Sequence, residues 1–227
     1  MPQQQGKHNG TAPTWVKSYL LFYNSMQLIG WFIPFVLTVH HFLFANGNLT
    51  DLWPHIKFYL QAFHLTMLLE IVHPILGLVR SSPGTIAIQV CSRCYITFLI
   101  CTLVPESTAW WAFPMMVFSW TITEIIRYTY FITEALQVTP RWLTFIRYST
   151  FLVLYPTGAG GEWLCAFKAL PWLPERDPFA ISLPNALNAS FSTAFLTKVM
   201  LVLYIGGLPY MYGHMLSQRA KHLRTKH

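Results

Sequence analysis

Tyr155 and Glu162 stand seven residues apart in the stretch YPTGAGGE. Apolar sequence surrounds them, WLTFIRYSTFLVL before and WLCAF after. A carboxylate can take up a proton and a phenolic hydroxyl can give one, so the two side chains carry the chemistry of acid–base catalysis. Seven residues is close to two helical turns, which puts Tyr148, Tyr155 and Glu162 on one stripe. On an ideal helix Tyr155 and Glu162 are about 10.5 Å apart, farther than the neighbouring carbons of one substrate. Glu162 leans back towards Tyr155, because helical side chains tilt towards the N-terminus. Pro156 cannot donate to the Leu152 carbonyl, and Gly158, Gly160 and Gly161 loosen the backbone. The intervening turn is therefore expected to bend or unwind. Taken alone, the break reads as a packing kink where small residues let two helices approach. The polar residues at its two ends favour a site.

The elements that position this pair follow from composition. The chain has 227 residues, 54% hydrophobic and 10% charged. Soluble domains carry about 25% charged residues, so a soluble globular domain is excluded. The sequence predicts an all-α, polytopic membrane protein. Six spans of about 20 apolar residues can be drawn, at about 19–39, 58–79, 86–104, 110–131, 142–167 and 191–212. Short links make them one antiparallel bundle. Residues 1–14 are expected to be a disordered tail, 15–216 the membrane domain and 217–227 a basic tail. An even number of spans puts both termini on one side. Of the fifteen basic residues, eight (Lys7, Lys17, Arg80, Arg141, Arg219, Lys221, Arg224, Lys226) fall on that side. Three (Lys57, Lys168, Arg176) fall opposite and four within spans. The positive-inside rule then predicts cytosolic termini, a lumenal sequon at Asn48 and a cytosolic one at Asn9. The net charge of +7 is scattered apart from the C-terminal cluster, which suits a lipid headgroup surface rather than nucleic acid.

Seven charged residues lie inside the predicted spans: Glu70, Arg93, Glu124, Arg127, Arg147, Glu162 and Lys198. Each charge at a helix centre costs about 2.5–3.5 kcal/mol, so they must pair or face a polar interior. Glu124 and Arg127 are three apart, on one helix face, and are expected to form a structural ion pair. Lys198 is expected to snorkel to the lumenal surface. So many interior charges point to an enzyme or a transporter. Cys91 and Cys94 form a C-x-x-C without a second pair, which favours buried or interfacial thiols with no special chemistry. His73-Pro74, five residues and Arg80 echo a tyrosine-phosphatase signature, but proline occupies the place of the nucleophilic cysteine. The histidines form no metal-binding pattern, and no metal site is expected.

Further stretches extend the pattern: LEIVHPILGLVRSS (69–82), QVCSR (89–93), SWTITEIIRYTYF (119–131), RYSTFLVLYPTGAGGE (147–162), PNALNASF (184–191) and MYGHMLSQR (211–219). With these the chain resembles the very-long-chain (3R)-3-hydroxyacyl-CoA dehydratases, a family also described as protein-tyrosine-phosphatase-like, and its plant members in particular. Ala159-Gly160-Gly161 is less bulky than the family's pattern. The resemblance implies six spans in the endoplasmic reticulum membrane with cytosolic termini. It implies dehydration of a 3-hydroxyacyl-CoA to a trans-2-enoyl-CoA, the third step of fatty-acid elongation, with no cofactor. It implies that Tyr155 and Glu162 are catalytic. Glu162 as base with Tyr155 as acid, and the reverse, both fit the residues. Arg80, Arg93 and Arg147 lie nearest the cytosolic face and, with Tyr148, are candidates for contacting the substrate; lipid headgroups would suit the arginines equally. The elongase condensing enzyme and the two elongation reductases are implied partners. A lipid transporter, or a scaffold of the elongation complex, is the alternative from another class.

Overall fold

A computed structural model describes residues 13–45, 47–181 and 190–224. Among the described residues ten α-helices follow one another: α1 (Thr14–Phe44), α2 (Leu49–Met67), α3 (Leu69–Ile75), α4 (Pro83–Cys94), α5 (Cys101–Leu103), α6 (Ala112–Ala135), α7 (Arg141–Arg147), α8 (Phe151–Ala169), α9 (Leu173–Arg176) and α10 (Thr193–Arg224). A wider π-type turn, Tyr95–Ile100, joins α4 to α5.

The helix ends follow local chemistry. Asn48 caps α2, its side chain accepting from the Thr50 N–H at 3.3 Å. Gly77, at φ 71°, closes α3, and the Leu78 N–H reaches back to the His73 carbonyl at 2.9 Å. Pro83 opens α4 where its missing N–H costs nothing. The carboxylate of Asp177 accepts from the Thr193 N–H at 2.5 Å and its hydroxyl at 2.7 Å, covering the start of α10.

α6 is the central post, packed against α1 and α8; α2 packs on α1, and α10 on α8. Trp31, Trp120, Tyr128, Phe113, Leu52 and Ile56 fill the interior. At Gly30 the Phe63 ring lies where a side chain would stand, so α1 and α2 close tightly. The outer surface is apolar, with Phe22, Ile29, Phe58, Ile88, Phe195 and Val202 exposed. A lipid environment suits such an exterior.

Among the described residues three helical stretches are long and apolar enough to cross a membrane: Thr14–Phe44, Pro83–Leu103 and Thr193–Ala220. Two expected spans are divided. The second is α2 and α3, joined at Leu68. The fifth is α7 and α8, separated by a turn at 148–150, where polar side chains take over from the apolar run. The boundary expected at 216 lies inside α10. Residues 1–12, with Lys7 and Asn9, lie outside the described residues, as do Lys226 and most of PNALNASF.

Candidate active site

α8 runs unbroken from Phe151 to Ala169, through Pro156 and all three glycines. The expected unwinding does not occur, and Gly158 and Gly161 serve packing instead. A Cβ on Gly161 would stand 2.7 Å from Met116 Cβ and 3.0 Å from the Ala112 carbonyl oxygen. One on Gly158 would stand 3.3 Å from Ser119 Cβ, while one on Gly160 would meet nothing within 4 Å. Gly158 and Gly161 thus share the face on which α6 rests. Ser119 and Thr157 hydroxyls join the two helices at 2.8 Å. The Leu152 carbonyl, which Pro156 cannot serve, receives the Tyr212 hydroxyl of α10 at 3.5 Å, the outer limit of a hydrogen bond.

This close approach sets Glu162. Its carboxylate is 7% exposed and has a donor on each oxygen. Trp120 Nε1 of α6 donates to Oε1 at 2.8 Å, and the Tyr204 hydroxyl of α10 donates to Oε2 at 2.6 Å. Beside it lies a cavity of about 10 Å³, room for about one water, walled by Tyr95, Ile96, Ala166, Met200 and Tyr204. Two turns earlier, Tyr155 is half-buried and stacks on Tyr212, with ring centroids 6.3 Å apart. α10 runs antiparallel to α8, so its Tyr204 meets Glu162 and its Tyr212 meets Tyr155.

The other expected residues stand elsewhere. Tyr148 is not on the α8 stripe: it ends α7, buried, with its ring 6.4 Å from Tyr130. Arg80 is exposed after α3. Arg147 is half-buried, over the rings of Tyr130 at 5.0 Å and Phe131 at 4.8 Å. Arg93 is buried and paired with Glu124, its guanidinium 5.7 Å from the Trp120 ring centre. Arg127 Nε lies 2.9 Å from Glu124 Oε2 and the same guanidinium also pairs with Glu70, which accepts from the Tyr128 hydroxyl as well. The expected two-residue pair is therefore a chain of four charges, Arg93–Glu124–Arg127–Glu70. Among the described residues no group of three or more His, Cys, Asp or Glu comes together. The cysteines are free, with Cys91 exposed and Cys101 and Cys165 buried.

Trp120 and Tyr204 escaped the sequence reading. Trp120 lies four and seven residues before Glu124 and Arg127, a spacing that places it on their helix face. Nothing in the sequence near Tyr204 signals its partner.

The protein tyrosine phosphatase-like protein family, PTPLA, matches residues 64–225. The chain belongs to this family. Similar proteins include the very-long-chain (3R)-3-hydroxyacyl-CoA dehydratase hpo-8 of Caenorhabditis elegans, 36% identical over 91% of this chain and 94% of that one. The dehydratase PASTICCINO 2 of Arabidopsis thaliana is 36% identical over 90% of this chain and 92% of its own. Dehydratase 2 of Homo sapiens is 38% identical over 90% and 80%. No solved structure matches. The PTPLA match begins at His64 and takes in the interior charges of α3 to α7 and the whole of α8 and α10.

Proposed function

We propose that this chain is a hydro-lyase that dehydrates very-long-chain 3-hydroxyacyl-CoA to trans-2-enoyl-CoA. Relatives named for that reaction, aligned over nine-tenths of the chain, support the reaction class. The observation that carries the mechanism is the Glu162 carboxylate, buried and held by one donor on each oxygen. Two of its four lone-pair sites are taken, and the others can accept a proton. Glu162 removes the C2 proton, which the thioester acidifies. The C3–O bond breaks, and the hydroxyl leaves as water with the Tyr155 proton. A proton returning from Glu162 to Tyr155 restores both groups. Each contributes about 10²–10⁴-fold. The donors on Glu162 favour it as base over the reverse assignment.

Six crossings of an endoplasmic reticulum membrane, with cytosolic termini, suit this reading: α1, α2 with α3, α4 with α5, α6, α7 with α8, and α10. Two links that this topology puts on the lumenal side are joined by Arg176, which grips Glu106 with two bonds of 2.7 and 2.9 Å. The CoA head remains at the cytosolic face, where Arg80 is exposed. The elongase condensing enzyme and the elongation reductases supply the substrate and consume the product. Purified protein in lipid vesicles, given a long-chain 3-hydroxyacyl-CoA, should release the enoyl thioester. Binding without release would contradict the reading.

A further inference from the structure

Neither Trp120 nor Tyr204 belongs to the Tyr155–Glu162 pair, yet each gives its single donor hydrogen to the Glu162 carboxylate. They come from different helices, α6 and α10, and each takes a different oxygen. Trp120 is itself held. Its ring is 2% exposed, meets the His64 ring edge-on at 5.0 Å and carries the Arg93 guanidinium, which Glu124 fixes in turn. Tyr204 is held through α10, where the Leu201 carbonyl one turn earlier receives Trp163 Nε1 of α8 at 3.2 Å. A carboxylate gripped on one oxygen only could still swing about its last bond. Gripped on both, from two helices, it keeps one orientation.

We propose that Tyr204 and Trp120 are positioning residues that hold the Glu162 carboxylate in one orientation, aimed at the substrate's C2 hydrogen. This rests on Glu162 being the base. Behind the Trp120 ring of α6 stands Arg93 of α4.

The test is kcat, KM and melting temperature with a long-chain 3-hydroxyacyl-CoA, using the full chain in membranes. Tyr204→Phe keeps the ring and removes the donor. It should lower kcat about 10–100-fold, the worth of a hydrogen bond to a charged group, with KM changed less than about twofold. Trp120→Phe should lower kcat in the same way, so if one variant folds poorly the other decides. A loss of rate that only follows a lowered melting temperature, or a raised KM with kcat unmoved, would mean a merely structural role and would overturn the proposal. So would wild-type kcat in both variants. If Glu162→Gln itself kept wild-type turnover, the base assignment would fail first; if only Glu162→Gln were dead, the positioning role alone would fall.

Discussion

Gly161 of α8 sits against Met116 of α6 so closely that a Cβ added to it would stand 2.7 Å from the Met116 Cβ. That approach is what brings the Trp120 indole to Glu162. Gly160, one residue away, faces open space. Gly161→Ala should therefore destabilise by about 1–3 kcal/mol through overpacking. Gly160→Ala should be neutral or stabilise by about 0.5–1 kcal/mol, since glycine inside a helix is unfavourable. Thermal unfolding in detergent checks the ranking; the opposite order would contradict this packing.

Arg93 and Arg80 are predicted to differ in kind. Arg93 is buried against Glu124, and removing one partner of a buried pair costs about 3–5 kcal/mol. Arg93→Ala should lose folded protein. Arg80→Ala should fold normally and raise KM for the CoA substrate a few-fold. Melting temperature and KM, measured on both variants, separate the two roles.

Asp177 supplies a pH dependence outside the membrane. Partial burial pushes its carboxyl up, but hydrogen bonds from the Thr193 N–H and hydroxyl and the Phe179 N–H outweigh this and hold it below the usual range. A carboxyl depressed in the folded state stabilises fully above its unfolded value, about 3.9, and that contribution fades as pH falls through the lower folded value. Asp177→Asn should be less stable than wild type by about 0.5–2 kcal/mol near neutrality, the range of a lost helix cap. The gap should narrow in acid. Denaturation of both proteins at about pH 6 and about pH 3 reads it; a gap that widened in acid would contradict the capping role.

The helical class, the residues of the Tyr155–Glu162 stretch and the Glu124–Arg127 contact were legible because each rests on local pattern: apolar length, a seven-residue step, a three-residue step. Where the sequence misled, tertiary contacts decided. Pro156 predicts a break, yet α8 stays helical, with α6 against Gly158 and Gly161 and with Tyr212 meeting the carbonyl that proline cannot serve. Arg93 reads as a face residue, yet Glu124 on a different helix draws it inward. Tyr204 lies 42 residues from Glu162, and no local rule links a lone tyrosine in an apolar helix to a distant carboxylate.

The central claim is that Tyr155 and Glu162 together remove water from a 3-hydroxyacyl thioester. The most direct measurement is turnover of a long-chain 3-hydroxyacyl-CoA by Tyr155→Phe and Glu162→Gln, each confirmed folded by its melting temperature. The account predicts that each variant loses about 10²–10⁴-fold in kcat, with substrate still bound. Wild-type turnover in both would contradict it.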